Sequence, residues 1–127
     1  MIDIDHFKTL NDSYGHLVGD EVLTHISLCI IRCTEKDDLV VRYGGEEFLV
    51  LLTNKDLTTA TRLAQKINIE VAKESESTVS IGVASSAQHR DFDNLVHAAD
   101  QAMYAAKSAG RNCVRIDSIP PLSEVGA

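Results

Sequence analysis

Apolar residues recur at helical spacing in four stretches of the chain. Within each stretch they fall at i, i+3, i+4 and i+7, which places them on one face of a helix. This spacing predicts helices over residues 5–14, 20–33, 56–73 and 92–108. Asp20 stands at the start of the second stretch, after Gly15 and Gly19, and we expect it to be the N-cap of that helix.

Strand-like patterns fill the gaps between these helices. Residues 39–43 and 46–53 are rich in apolar residues and flank a Gly-Gly pair, which predicts a hairpin. Residues 79–83 and 113–116 predict two more strands, and residues 1–3 resemble the end of a strand whose earlier part is missing. This order predicts an α+β fold, with helices flanking a central, mostly antiparallel sheet whose first strand is incomplete. We expect one domain over residues 1–117 and a flexible tail over 118–127.

The composition favours an acidic globular domain. The 127 residues carry 12 Lys and Arg against 19 Asp and Glu, a net charge of −7, and 44% are hydrophobic. Such a chain can build one core, but it lacks the basic surface of a general nucleic-acid binder. No apolar run approaches the ~20 residues of a membrane span, and no signal peptide is recognisable. Three cysteines without a CxxC pair favour a reducing, cytoplasmic setting over disulfides or a zinc site.

Asp3 and Asp5 form the first candidate site. Alternate residues of a strand point to the same side, so the two carboxylates converge if the strand extends to Asp5. The Asp-x-Asp spacing also opens the EF-hand pattern, but Phe7, Lys8 and Tyr14 stand where that loop needs a ligand, a glycine and a glutamate. The residues alone leave two interpretations open, a functional carboxylate site and a solvated helix start.

Gly44, Gly45, Glu46 and Glu47 form the second candidate site, at the turn of the predicted hairpin. Two glycines allow a tight turn and a close approach of ligand phosphates to the backbone. Two glutamates at the start of a very apolar strand are unfavourable unless one of them faces water or a metal ion. A plain Gly-Gly turn with solubilising charges is the alternative.

Two further groups suit a nucleotide. Lys107 and Arg111, four residues apart at the end of the last helix, suit a phosphate clamp, although Lys and Gly are also ordinary at a helix end. Asn11, His16 and Asp20 offer hydrogen-bond donors and acceptors that suit the edge of a guanine base. A helix-ending Asn, a surface His and an N-cap Asp are the alternatives.

Together these groups resemble the GGDEF family of diguanylate cyclases, and the resemblance covers the chain to about Arg115. It rests on four motifs in order: IDIDHFKTLNDSYGHLVGDEVL (2–23), RYGGEEF (42–48), VSIGVA (79–84) and ADQAMYAAKSAGRN (99–112). It implies the ferredoxin-like sheet architecture of nucleotidyl cyclases and polymerase palms. It also implies that two GTP condense to cyclic di-GMP and two pyrophosphates across a two-fold homodimer, with Mg²⁺ or Mn²⁺ as the cofactor.

The resemblance also implies a role for each candidate residue. Asp3, the backbone carbonyl of Ile4 and Glu46 would hold two metal ions. Glu46 would also accept the proton of the 3′-hydroxyl, with Glu47 as an accessory carboxylate. The remaining roles concern GTP: Lys8, Lys107 and Arg111 would bind phosphates, Lys8 as a charge stabiliser in the transition state, Asn11 and Asp20 would read the guanine edge, and His16 would lie beside the nucleotide.

Two departures from the family pattern modify these expectations. Many members carry an inhibitory Arg-x-x-Asp site five residues before the Gly-Gly pair, and here Glu35 stands in the Arg position while Asp38 is kept. A glutamate would repel a dinucleotide phosphate, so we expect no tight product feedback. The incomplete first strand and the lack of an upstream sensor or dimerisation domain predict that the chain alone is weakly active or inactive. The parent protein is expected to supply such a domain and can be membrane-tethered. A catalytically silent GTP-binding regulatory module is the alternative function.

Overall fold

The computed structural model of the protein describes residues 1–118, which contain five strands, four α-helices and one 3-10 helix. The strands are β1 (Ile2–Ile4), β2 (Leu39–Arg42), β3 (Glu47–Leu51), β4 (Val79–Val83) and β5 (Val114–Ile116). The helices are α1 (Phe7–Tyr14), α2 (His16–Cys33), α3 (Leu57–Glu74) and α4 (Phe92–Ser108), with the 3-10 helix at Ser86–Gln88. None of these described helices has both the length and the hydrophobicity needed to cross a bilayer. The tail predicted over residues 118–127 lies outside the described residues, apart from Ser118.

The described strands form one sheet in the order β2-β3-β1-β4-β5. β1 lies in the centre and pairs antiparallel with both neighbours, so that Ile2 stands opposite Phe48 of β3 and Ile81 of β4. β2 and β3 are antiparallel, whereas β4 and β5 are parallel. The expected α+β fold with a mostly antiparallel central sheet is confirmed.

Helices cover both faces of this sheet. Ile2 and Ile4 point to one face, where they pack with apolar side chains of α1, α2 and α3. Because alternate residues of a strand point to opposite faces, Asp3 points to the other face, which α4 covers. The apolar cluster on that face is smaller and includes Met103 of α4.

Gly82 of β4 allows α4 to lie directly against the sheet. A Cβ atom at this position would lie 2.1 Å from the carbonyl oxygen of Ala99 and 2.2 Å from the backbone nitrogen of Met103. Real Cβ atoms do not make contacts this short, and both neighbours are backbone atoms of α4. The glycine therefore sets the height of α4 above the sheet, and with it the position of Lys107 near the end of that helix.

The element bounds agree with the sequence predictions within about two residues, with one exception. α2 begins at His16, so the prediction that Asp20 is its N-cap was wrong. The chain reverses at Gly15, whose φ of 89° lies in the left-handed region that favours glycine. Gly19 does not interrupt the helix but lies buried inside α2, against α1. The 3-10 helix was not predicted.

Candidate active site

Three acidic residues lie near the point where β1 pairs with β3, and each of the two glutamates interacts with Asp3. Asp3 stands opposite Glu47 in the register of the sheet. Glu46 immediately precedes β3, and its backbone carbonyl accepts a hydrogen bond from the Ile4 N–H at 3.1 Å. The Asp3 residue is 2% exposed, whereas both glutamates are partly exposed. The sheet thus brings together the three residues predicted for the metal site and places Glu47 beside them.

This cluster carries excess negative charge. Burial and the charge of Asp3 raise the pKa of Glu46, and the nearby Lys107 opposes them only in part. The pKa of Glu47 is raised by burial, by the charge of Asp3, by a hydrogen bond with Asp3 and by the charge of Asp100. Closely spaced carboxylates favour the neutral form when counter-charge is insufficient. The excess negative charge of the cluster therefore favours the binding of a cation.

Lys107 forms an ion pair with Asp3, in which Lys107 Nζ lies 3.0 Å from Asp3 Oδ1. The contact lacks hydrogen-bond geometry, and Asp3 Oδ1 is buried without a hydrogen-bond partner within residues 1–118. Buried carboxylate oxygens normally have such a partner. Asp3 therefore keeps a buried acceptor for a further ligand.

The oxygen donors of this cluster suit a cation whose remaining ligands come from a substrate. Within residues 1–118, no three His, Cys, Asp or Glu side chains are grouped as a full metal site. Asp3 and Glu46 supply two carboxylates, and the Ile4 carbonyl follows Asp3 in the chain. Mg²⁺ in phosphate-handling sites is usually bound by one or two carboxylates together with substrate phosphates and water. The residues present therefore fit such an ion.

Arg42 closes the turn that positions Glu46. Its guanidinium donates hydrogen bonds to the carbonyls of Gly44 (3.3 Å) and Gly45 (2.6 Å). The Tyr43 N–H donates to the carbonyl at the start of β3 at 2.8 Å. These bonds hold the backbone of the turn, and neither Gly44 nor Gly45 adopts the left-handed φ region that requires glycine.

The turn after α4 carries Arg111 and is held by Asp5. Gly110, Arg111 and Asn112 all have positive φ, at 113°, 67° and 48°. Positive φ is unfavourable for non-glycine residues, and the Asn112 N–H is anchored by the Asp5 carboxylate at 3.0 Å. The Arg111 side chain is exposed and forms no ion pair within residues 1–118.

Asp5 is buried and has a structural role, so it is not the solvated helix start that the sequence left open. Its carboxylate accepts hydrogen bonds from the hydroxyls of Thr78 and Ser80, both at 2.6 Å, as well as from Asn112. Both of its oxygens are therefore engaged, and they tie β1 to β4 and to the turn after α4. These partners lie 73 to 107 residues away in the chain, so local sequence patterns could not reveal them.

The predicted guanine-binding residues lie on the α1–α2 pair. Asn11 is partly buried near the end of α1, whereas His16 and Asp20 are exposed in the first turns of α2. Asn11 contacts Gly19, the residue before Asp20, which brings two of the three predicted residues near each other. The structure does not join this group to the carboxylate cluster by a described contact. Lys8 is exposed on α1 and forms no ion pair within the described part of the chain.

An internal ion pair lies at the position of the inhibitory site that the sequence predicts to be degenerate. The Asp38 side chain is 0% exposed and accepts hydrogen bonds from Lys55 Nζ at 2.9 and 3.1 Å. It also accepts from the backbone N–H groups of Glu35 (2.9 Å) and Thr53 (3.0 Å). Burial opposes ionisation of Asp38, but these hydrogen bonds outweigh it and lower the pKa of the carboxyl. Lys55 was missed at the sequence level, because no local spacing links it to Asp38.

Comparison with known proteins identifies the family. The profile described as "Diguanylate cyclase, GGDEF domain" matches residues 1–113, which is most of the chain. The chain belongs to the GGDEF family. Diguanylate cyclase DgcM of Escherichia coli K12 is 48% identical to it over 119 residues, which cover 90% of this chain and 29% of DgcM. This GGDEF chain thus spans less than a third of the length of that relative.

Two solved structures support the fold of this GGDEF domain. The active GGEEF domain of a diguanylate cyclase from Vibrio cholerae superposes with a TM-score of 0.83 at 35% identity, covering 91% of this chain and 79% of that one. The GGDEF domain of DgcB from Caulobacter crescentus, in complex with c-di-GMP, gives a TM-score of 0.84 at 32% identity, covering 91% and 74%. Residues 44–48 of the present chain spell GGEEF.

Proposed function

We propose that the chain is the catalytic domain of a diguanylate cyclase, which condenses two GTP into cyclic di-GMP and two pyrophosphates. The observation that carries the proposal is the buried Asp3 carboxylate, paired with Lys107 and flanked by Glu46 and Glu47. Grouping carboxylates in a poorly solvated place costs stability, so the cluster is better explained by a ligand than by the fold. Family membership and the named cyclases among the relatives support the same reaction.

Asp3, the Ile4 carbonyl and Glu46 would hold divalent cations, Mg²⁺ or Mn²⁺, against the triphosphate. The Asp3 oxygen that lacks a hydrogen-bond partner and the raised pKa of Glu46 support this assignment. When bound, such ions lower the pKa of a hydroxyl nucleophile and offset the charge of the triphosphate. Lys107 already neutralises part of the carboxylate charge at this place.

The condensation needs a proton acceptor at the 3′-hydroxyl of GTP. The 3′-oxygen of one GTP attacks the α-phosphorus of the other, the bond to pyrophosphate breaks, and the hydroxyl proton passes to a base. Glu46 is the candidate base, because it is a partly exposed carboxylate immediately before β3, beside Asp3. Glu47 serves as an accessory carboxylate. Two such steps close the ring, so each protomer of a two-fold dimer presents one GTP to the other.

Recognition of GTP is assigned to the α1–α2 pair and to basic residues around the cluster. Asp20 would accept the N1 and N2 hydrogens of guanine, and Asn11 would bind the adjacent part of the base edge, with His16 beside the base. The triphosphate contacts are assigned to Lys8, Lys107 and Arg111, with Lys8 stabilising charge in the transition state.

Because the proposed substrate is GTP, the domain would work in the cytoplasm.

Product analysis tests the proposal. The chain would be fused behind a dimerising coiled coil, which raises the effective concentration of the second site, and incubated with GTP and Mg²⁺. We expect cyclic di-GMP, identified by chromatography and mass, from the unchanged fusion and none from Glu46→Ala. Glu70→Ala, a partly exposed glutamate of α3, is the matched control and should retain activity. A folded fusion that binds GTP but forms no product would contradict the proposal and favour the silent regulatory module.

A further inference from the structure

Gly19 is a glycine inside α2 that the helix itself does not need. Its φ lies outside the left-handed region, and glycine forms helix less well than alanine. Gly19 is buried, and a Cβ atom there would lie 1.7 Å from Asn11 Oδ1 and 2.8 Å from Asn11 Cγ. A side chain at position 19 would therefore clash with one neighbouring side chain, that of Asn11.

This contact gives the Asn11 carboxamide a defined orientation. Oδ1 faces Gly19, where it is buried and has no hydrogen-bond partner within residues 1–118. The backbone carbonyl of Asn11 accepts a hydrogen bond from the Gly15 N–H at 2.8 Å, which fixes the main chain at the end of α1. Nδ2 makes no hydrogen bond within residues 1–118, and it is not fully buried. The donor nitrogen is therefore the atom of the carboxamide that can face a ligand.

We propose that Gly19 is a positioning residue for guanine recognition, because it leaves the space in which the Asn11 carboxamide lies. The inference rests on the proposed function, in which Asn11 and Asp20 bind the base of GTP. Asn11 then offers its Nδ2 donor to an acceptor atom of guanine, while the carboxylate of Asp20 accepts from N1 and N2. Adenine has an acceptor at N1 and only a C–H group at position 2, so a carboxylate that accepts from N1 and N2 of guanine discriminates against adenine when the base is held in place by Asn11.

Gly19→Ala tests the inference in the 127-residue chain through equilibrium binding of GTP and of ATP with Mg²⁺. The new methyl group displaces the end of a flexible side chain, so we expect α2 to stay in place and the melting temperature to be kept or raised. The dissociation constant for GTP should rise about tenfold, which corresponds to the loss of about one hydrogen bond. The constant for ATP, which is bound through its phosphates, should change little. A general loosening of the fold would not alter the ratio of the two constants in this way.

A double-mutant cycle with Asn11→Ala identifies the route of the effect. Gly19→Ala should weaken GTP binding when Asn11 is present and have no effect when its carboxamide is absent. Leu28→Ala changes a side chain that is 52% exposed on the same helix. This control variant should leave both dissociation constants unchanged.

The results that would overturn the inference differ from those that would overturn the proposed function. Unchanged GTP binding in Gly19→Ala, or a loss that persists at full size with Asn11→Ala, would overturn the inference and leave the cyclase proposal standing. An unfolded Gly19→Ala chain would show that the methyl group displaces the backbone and not the carboxamide, which also contradicts the inference. A wild-type chain that binds GTP and ATP equally would overturn the guanine assignment itself, and the inference with it.

Discussion

Replacing Gly82 by alanine tests the close packing that positions α4 on the sheet. The new Cβ atom would lie 2.1 Å from Ala99 O, 2.2 Å from Met103 N and 2.8 Å from Ala102 C, whereas ordinary contact begins at 3.4 Å. All three are backbone atoms of one helix, so α4 has to move away by roughly 1 Å or β4 has to bend. Overpacking of a core typically costs about 1–3 kcal/mol. Because a whole helix is displaced, we expect a loss of about 3 kcal/mol in the free energy of unfolding.

Urea denaturation followed by far-UV circular dichroism measures this loss, with Gly45→Ala as the matched control. Nothing lies within 4 Å of a Cβ atom built on Gly45, so that variant should differ from wild type by about 0.5 kcal/mol or less. Domains of this kind are stable by about 5–15 kcal/mol in total, and the expected loss would lower the denaturation midpoint clearly. If Gly82→Ala were within about 1 kcal/mol of Gly45→Ala, below the typical overpacking cost, the packing argument would be refuted.

Three further predictions concern the site. Asp20→Ser should reduce the preference for GTP over ATP by about tenfold or more, because the carboxylate that accepts the guanine hydrogens is lost; an unchanged preference in competition binding would contradict the assignment. The pKa values of Glu46 and Glu47 are raised from 4.5 in the metal-free fold. The contribution of these two residues to the stability of the fold is therefore full below pH 4.5 and is lost as the pH rises through their folded-state pKa values. Mg²⁺ should therefore raise the melting temperature more at about pH 8 than at about pH 5, and an equal effect at both would argue against binding at these carboxylates. Calorimetric titration with cyclic di-GMP should show no tight binding, because Asp38 is engaged by Lys55; high-affinity binding that Asp38→Ala abolishes would refute this prediction.

Local patterns were sufficient for elements whose ends are marked by their own residues. α3 and α4 were predicted within one residue from their apolar spacing, and in the fold Asp56 and Asp91 cap them, each accepting a hydrogen bond from the backbone N–H three residues later, at 2.8 Å. The start of α2 was missed because the same rule favours Asp20 as a cap. In the fold, Gly15 alone reverses the chain, and Gly19 serves a contact with α1.

Contacts across the sheet could not be predicted from local spacing. Asp3 and Lys107 lie near opposite ends of the chain, and their pairing arises only when β1 and α4 meet on one face of the sheet. The hydrogen bonds around Asp5 and the ion pair of Asp38 with Lys55 also join separate strands and turns. The family resemblance indicated which residues form the carboxylate cluster, but it did not reveal these structural partners.

A crystal structure of the chain with Mn²⁺ and a non-hydrolysable GTP analogue would test the proposed active site most directly, because the anomalous scattering of Mn²⁺ locates the metal independently of the protein. We expect anomalous peaks beside the Asp3 and Glu46 carboxylates and the Ile4 carbonyl, with the guanine base between Asn11 and Asp20. A metal and triphosphate bound elsewhere, with Asp3 still paired with Lys107 alone, would contradict the assignment.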